Sequence, residues 1–169
     1  MSAYNTVSTD NWQINLPEDW SQQRSDAPNK LYFEAKDGTK AAYITVFALT
    51  DSKSSGLAIL AGWREKEING LYGMPDYQWE IVEEWQHDET GVATSGSDCF
   101  ASARCYRIVC LRMTRFPWLV RVSLHDYECR DYVLSKNYFQ TIVESLSPAT
   151  NSGDTQKVVT RVSVTPRIT

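Results

Sequence analysis

Two histidines and four cysteines are the side chains of this chain best suited to nucleophilic or metal chemistry. His87 and His125 each stand at the end of a predicted strand. A cysteine beside a histidine is a nucleophile pair in several enzyme classes, but no cysteine lies at a spacing that indicates such a pair. The sequence also lacks a GxSxG turn, which presents a reactive serine in many hydrolases. We therefore expect strand-end histidines and predict no catalytic residue.

The cysteine spacing argues against a metal centre. Zinc sites use three or four protein ligands, and the chain has no CxxC pair. Cys105 and Cys110 are five positions apart on one predicted strand, so they point to opposite faces. No GxxxxGK(S/T) or GxGxxG segment offers a phosphate-binding loop. We predict neither a metal nor a cofactor, and we expect free, mostly buried thiols at Cys99, Cys105, Cys110 and Cys129.

An acidic stretch occupies one predicted strand and the turn that follows it. Its members are Glu80, Glu83, Glu84, Asp88 and Glu89. Two interpretations remain open: a solvated polar face, or an acidic patch that meets a basic protein partner and raises the association rate. Glu83 has the same strand parity as apolar neighbours, so we expect it to pair with an arginine or to lie beside a bulge. The arginines of the next strands are expected to balance the acidic strand across the sheet; they are Arg104, Arg107, Arg112, Arg115 and Arg121.

Three of the six tryptophans are candidates for partner-binding anchors. Trp63 stands beside Arg64 on a predicted helix, off its main apolar stripe, and Trp20 and Trp118 adjoin turns. Exposed tryptophans often dominate the binding energy of protein interfaces, whereas the alternative is that these three cap the edges of the core. The candidate partner-binding residues are therefore Trp20, Trp63, Trp118, Glu80, Glu84, Asp88 and Glu89.

Charge and composition restrict the class of protein. The 169 residues have a formal net charge of −4 and are 42% hydrophobic, as in a folded domain with a sizeable core. The last twenty residues sum to +2, which leaves −6 on residues 1–149. This balance argues against nucleic-acid binding, which needs a positive face. The chain shows neither a secretory signal nor the roughly 20 apolar residues of a membrane span, so we expect a cytoplasmic protein without a membrane partner.

Hydrophobic alternation and turn residues predict an α+β fold. The first strand is expected at Trp12–Leu16. Two more strands, Leu31–Ala35 and Ala41–Leu49, flank the Asp37-Gly38 hairpin turn. A helix is predicted to follow from Ser55 to Ile68, because a serine caps its start and Asn69-Gly70 provides a stop signal.

The second half of the chain continues with strands and a helix. Strands are predicted over residues 77–86, 103–113 and 118–124, and residues 92–97 form either a strand or a loop. A second helix begins at Asp131 and ends before Pro148. The order β-β-β-α-β-β-β-α predicts a largely antiparallel sheet of about six strands, with both helices packed on it. Residues 1–149 are expected to form this single α+β domain, and residues 150–169 a polar C-terminal tail that is either flexible or an edge strand.

Three segments of this order resemble the PsbP-like superfamily, which includes the Ran-binding Mog-type proteins and the small bacterial DcrB-like proteins. WQINLPEDW (residues 12–20) resembles the first strand of the family and its LPxxW turn, and LYFEAKDGTKAAYITVFAL (31–49) fits its second and third strands. YFQTIVESLSP (138–148) resembles its last helix. The resemblance covers roughly residues 10–148 and depends on core and turn residues.

This resemblance implies a non-catalytic protein-binding role. Some DcrB-like members are similar to chaperones that hold effectors of the type VI secretion system, and other small cytoplasmic proteins act as immunity proteins against toxins. The expected function is therefore an immunity protein or effector chaperone in the bacterial cytoplasm, with a basic toxin or secreted effector as partner. Two alternatives remain open: an adaptor or regulator of a small GTPase, as the Mog-type resemblance implies, and an enzyme whose catalytic residues converge only in the fold.

Overall fold

Short polar turns separate the alternating apolar segments of the chain, and these segments form strands in the computed structural model. The structure describes residues 3–150 and 159–169. These residues form two α-helices, α1 (Gly56–Tyr72) and α2 (Tyr132–Ser145). The strands are β1 (Tyr4–Ser8), β2 (Trp12–Pro17), β3 (Trp20–Gln23), β4 (Lys30–Ala35), β5 (Lys40–Ala48), β6 (Glu80–Glu89), β7 (Val92–Ala101), β8 (Tyr106–Arg115), β9 (Trp118–Asp126), β10 (Ser147–Pro148), β11 (Val159–Arg161) and β12 (Arg167–Ile168).

The larger sheet is built mainly from hairpins. Its order is β3-β4-β5-β9-β8-β7-β6, with every neighbouring pair antiparallel, and β12 adds in parallel to the end of β5. Gly38 adopts a φ of 72° in the β4–β5 turn, a left-handed conformation that favours glycine. The predicted class, α+β with a largely antiparallel sheet and two packed helices, is confirmed, but this sheet has eight strands rather than about six.

A second, smaller sheet has the order β10-β2-β1-β11. Sequence alternation predicted β2 but not β1, because β1 consists largely of half-buried polar residues. In the tail, residues 159–169 form β11, which pairs in parallel with β1, and β12. Residues 151–158 of the predicted C-terminal tail lie outside the described residues.

The main hydrophobic core lies between the two sheets and α2. Trp12, Ile14 and Leu16 of β2 face the larger sheet, and Phe139 and Ile142 of α2 pack into the same cluster. All five of these side chains are buried, as the alternation of β2 and the apolar stripe of α2 predicted. The result is a layered arrangement in which the small sheet and α2 cover one face of the larger sheet.

Helix α1 packs on the opposite face, against β6, β7 and β8. Its N-cap is Ser55, whose hydroxyl accepts a hydrogen bond from the Ala58 amide at 3.2 Å, as predicted. The helix continues past the expected stop at Asn69-Gly70 and ends at Tyr72, because Leu71 is buried against the sheet and extends the packed face by one turn. A charged residue, Glu67, is also buried on this face.

The Glu67 carboxylate binds two arginines that are directly opposite each other on β8 and β9. Arg112 Nη1 donates to Glu67 Oε2 at 2.5 Å, and Arg121 Nε donates to Oε1. Like charges at facing positions of a sheet repel each other, so this carboxylate offsets a repulsion that the strand register imposes. These arginines therefore pair with α1, and the prediction that they balance the acidic strand was wrong.

The acidic strand β6 is instead balanced by the helices. Glu84 accepts two hydrogen bonds from Arg64 of α1, at 2.7 and 2.8 Å, and Glu83 binds Lys136 of α2 at 2.7 Å. The register of β6 against β7 shifts between Ile81 and Glu83. Glu83 thus lies beside a bulge, one of the two predicted alternatives, and the bulge places it on the α2 face of the sheet with Trp85, opposite to the face of Ile81.

We expect Glu67→Gln to destabilise the fold by about 3–5 kcal/mol, because it leaves the buried Arg112 and the half-buried Arg121 without a carboxylate. Chemical denaturation measures this change. Glu65→Gln, on the exposed side of the same helix, is the matched control and should change the free energy of unfolding by less than about 0.5 kcal/mol. Equal stability of the two variants would contradict the assigned role of Glu67.

We expect Gly96→Ala to destabilise the protein by about 1–3 kcal/mol. A methyl group at Gly96 would overlap the indole of Trp85, which packs across β7 onto the main core. Gly62→Ala on α1 is the control, because open space surrounds it and alanine favours a helix by about 1 kcal/mol. The midpoint temperature of thermal unfolding should therefore fall for Gly96→Ala and rise for Gly62→Ala. A stabilised Gly96→Ala variant would contradict the packing of Trp85 on Gly96.

Candidate functional site

Helix α1 leaves a groove between itself and β9, which we call the β9 groove. Its volume is about 300 Å³, at the lower end of the range of small-molecule sites. The C-terminal half of α1 forms one wall and the sheet forms the floor. The lining residues are Trp63, Lys66, Glu67, Gly70 and Leu71 of α1, and Ile108, Cys110, Arg121, Ser123 and His125 of the sheet.

The floor of the β9 groove contains a surplus positive charge. Arg112 is 1% exposed and donates to Glu67, Ser95 and Ser97, so all its nitrogens are used. Arg121 is 30% exposed and donates through Nε to Glu67. Two guanidinium groups therefore share one carboxylate, and the more exposed of them lines the groove.

His125 is fixed between two hydroxyl groups. Its Nδ1 lies 2.6 Å from the Tyr106 hydroxyl and its Nε2 lies 3.0 Å from the Ser123 hydroxyl. Burial, together with the nearby Arg121, lowers the pKa of His125 to about 4. The imidazole is therefore neutral at physiological pH.

The geometry of Ser123 and His125 resembles a nucleophile and its base, but the electrostatics do not match that role. A general base works best with a pKa near the operating pH, and a histidine with a pKa of about 4 is a weak base at pH 7. The third group is the Tyr106 phenol, whose pKa burial raises, rather than a carboxylate. The arrangement is better suited to presenting fixed hydrogen-bonding groups than to activating a serine.

Aromatic side chains extend the β9 groove across the part of the sheet that α1 leaves open. Tyr32 and Tyr43 stack with ring centroids 4.5 Å apart, and Tyr43 meets His125 at 5.1 Å. Tyr127 lies 5.6 Å from His125 and 5.3 Å from Tyr106. This tyrosine surface is half-buried to exposed, and tyrosine is enriched at protein interfaces.

A second candidate surface lies at the other side of α1, on β6. Strand β6 is at the edge of the larger sheet, and its exposed carboxylates point to both faces. Within the described ranges, Glu80, Asp88 and Glu89 form no ion pair with lysine or arginine, and Glu89 lies 3.0 Å from His87. We call these three residues the acidic edge. Glu84 is not part of it, because Arg64 holds its carboxylate and keeps its pKa below the usual range.

The three candidate tryptophans have different positions. Trp20 and Trp118 are 7% and 8% exposed, so they are core residues rather than exposed anchors. Trp20 donates to the Tyr138 hydroxyl at 3.0 Å and meets Phe139 edge-on. Trp63 is half-buried, packs on Phe47 with centroids 4.4 Å apart, and lines the β9 groove.

The structure thus brings one predicted site residue, Trp63, into the groove and leaves Glu80, Asp88 and Glu89 on the open edge. Sequence reasoning missed Arg121 and Lys66 as site residues and treated His125 as an isolated strand end. One signal was present: Arg121, Ser123 and His125 alternate with buried apolar residues along β9. They therefore share one face of the sheet.

The four cysteines are free, and burial makes three of them, Cys99, Cys110 and Cys129, poor nucleophiles. Burial raises the pKa of Cys99 to about 12 and raises that of Cys110 as well. Among residues 3–150 and 159–169, no three His, Cys, Asp or Glu side chains are grouped as metal ligands. In the same ranges, no helix combines the length and apolar character needed to cross a membrane.

Comparison with known proteins identifies the fold. No family model and no curated protein matches the sequence. Cyanobacterial PsbP (CyanoP) from Synechocystis sp. PCC 6803 matches with a TM-score of 0.65 and 14% identity, covering 88% of this chain and 94% of that one.

Two further solved structures match less well. A Pseudomonas aeruginosa protein of unknown function has a TM-score of 0.46 and 12% identity, over 82% of this chain and 92% of that chain. A Bacteroides thetaiotaomicron protein has a TM-score of 0.45 and 13% identity, over 83% of this chain and 46% of that chain. The likeness to CyanoP extends over most of both chains, so the fold of this protein is PsbP-like, as its first strands and last helix predicted.

Proposed function

We propose that this chain is a non-catalytic protein-binding module whose acidic edge receives a basic, extended segment of its partner. The observation that carries the proposal is the set of exposed carboxylates on β6 without a lysine or arginine partner in the described chain: Glu80, Asp88 and Glu89. Carboxylates in this position attract a basic partner and fix its register, because complementary charges act on both the encounter and the alignment.

The position of β6 supports an extended partner. Strand β6 has ten residues and, in the described part of the chain, pairs with β7 on one side only. The backbone N–H and C=O groups of its other side are therefore available to an added strand. Strand addition of this kind obtains affinity from main-chain hydrogen bonds and specificity from alternate side chains. Because the acidic edge presents carboxylates on both faces of β6, lysines or arginines on either face of an added strand would find a counter-charge.

The biological role that we propose is that of an immunity protein or effector chaperone in the bacterial cytoplasm. Its support is the PsbP-like fold together with the resemblance of the sequence to DcrB-like proteins. A basic toxin or secreted effector would supply the segment that docks on the acidic edge. An immunity protein would neutralise one toxin, whereas a chaperone would keep its effector soluble without inhibiting it. Co-expression with the neighbouring reading frame therefore separates the two roles.

Reversal of the acidic edge should release the partner. The variant Glu80→Lys/Asp88→Lys/Glu89→Lys is compared with Glu18→Lys/Asp19→Lys/Glu144→Lys, which changes the net charge equally at exposed positions elsewhere. The partner recovered by affinity purification from the native cells should bind the control like the wild type. It should bind the edge variant at least about tenfold more weakly, because several charge-assisted contacts are lost.

Two results would contradict this proposal. Equal weakening in both variants would indicate an effect of bulk charge, and unchanged binding in both would place the interface elsewhere. A further alternative is that the carboxylates merely prevent the open edge from pairing with another copy. In that case the edge variant would self-associate in sedimentation experiments while its affinity for the partner stayed the same. Amide hydrogen exchange adds an independent criterion, because β6 amides should become protected in the complex.

A further inference from the structure

We propose that the β9 groove is a binding site for a small organic carboxylate, with Arg121 as the residue that holds the anion. This site is separate from the acidic edge, because the two lie on opposite sides of α1. An experiment can therefore disprove the carboxylate site without affecting the proposal for the acidic edge, and the reverse is also true.

The charge count is the first argument. Arg112, Arg121 and Glu67 together carry one positive charge, and two of the three side chains are almost fully buried. Within the described residues, no other carboxylate forms an ion pair with either arginine. His125 is neutral at physiological pH, and Lys66 adds a second positive charge at the rim of the groove. An uncompensated charge in a half-buried place is costly, so a monoanion in the groove would be stabilised.

The free donors are the second argument. Arg121 uses Nε to bind Glu67, and its two terminal nitrogens form no hydrogen bond with the described residues. A guanidinium group binds a carboxylate with two parallel N–H donors. Because Glu67 fixes the other edge of the guanidinium, those donors are held in place before a ligand arrives. A pre-organised donor loses less entropy on binding than a flexible lysine.

The walls of the groove indicate the rest of the ligand. Trp63, Leu71 and Ile108 provide apolar surface beside Arg121. Trp63 is held by Phe47 on one side and by Lys66, whose ammonium lies 4.8 Å from its ring centroid. A volume of about 300 Å³ suits a compact ligand with one ring or a short apolar chain. The expected class is thus a small monocarboxylate with an apolar body.

The groove on the other side of α1 provides an internal contrast. It is lined by Arg64, Glu84 and Arg112 among others. Arg64 and Glu84 pair through two hydrogen bonds, and every nitrogen of Arg112 already donates to Ser95, Glu67 or Ser97. That groove is larger, at about 440 Å³, but neither of its arginines has both terminal nitrogens free, as Arg121 does in the β9 groove. The β9 groove is therefore favoured as an anion site by the free nitrogens of Arg121 and not by its volume.

The test uses phenylacetate as probe and its neutral analogue phenylacetamide as the matched ligand. In titrations followed by NMR, the shift of the Trp63 indole N–H signal reports binding. Phenylacetate should bind at least about tenfold more tightly than phenylacetamide, since the amide lacks the charge that Arg121 binds. Arg121→Gln should abolish this difference. The variant is expected to fold, because Arg112 and Glu67 remain as a balanced pair. Arg64→Gln is the control and should bind like the wild type.

Three outcomes would overturn the inference. The first is equal affinity for phenylacetate and phenylacetamide, which would indicate apolar binding without an anion site. The second is unchanged phenylacetate binding in Arg121→Gln, which would place the anion elsewhere. The third is binding of inorganic phosphate but not of phenylacetate, which would assign the site to a different class of anion. Circular dichroism of Arg121→Gln establishes that any loss of binding occurs in a folded protein.

Discussion

The carboxylate of Glu67 is the constraint on which the α1 face of this protein depends. The hairpin of β8 and β9 places Arg112 and Arg121 directly opposite each other on one face of the sheet. No carboxylate of either strand neutralises them there, so the negative charge must come from above the sheet. Helix α1 brings it, and the position of Glu67 therefore determines where the helix lies and where the β9 groove opens.

The opposite face of the same sheet shows that the surplus charge is not a general property of the fold. There Arg107 donates to Asp98 at 2.8 and 2.9 Å, and Ser135 of α2 links Arg107 to Asp126. Lys40 lies 3.6 Å from Asp126, so two cations meet two carboxylates. This network is balanced and buried, and it fixes α2 to the sheet as Glu67 fixes α1. Of the two networks, one is complete without a ligand and the other has an unused guanidinium edge.

Sequence patterns predicted those elements in which alternation and turn chemistry agree, such as β2, the β4–β5 hairpin and α2. They left β7 undecided because its polar residues hid the alternation. Ser95 and Ser97 are paired with Arg112, and Gly96 receives the Trp85 ring, so this strand is central despite its composition. The arginine partners could not be read from the strands, because the carboxylate belongs to a helix that packs across them. Burial of Trp20 depends on α2 in the same way.

Helix α1 also separates charges of opposite sign. On its β6 side the exposed carboxylates outnumber the two exposed cations, Arg64 and Lys136, and on its β9 side the groove is lined by Arg121 and Lys66. Potentials of opposite sign on two sides of one helix orient an approaching charged molecule before contact. A basic segment would be drawn to β6 and repelled from the β9 groove, while a small anion would follow the reverse course. If both proposals hold, the helix that neutralises the sheet also separates the two binding surfaces, so a basic peptide and a small carboxylate would not compete for this protein.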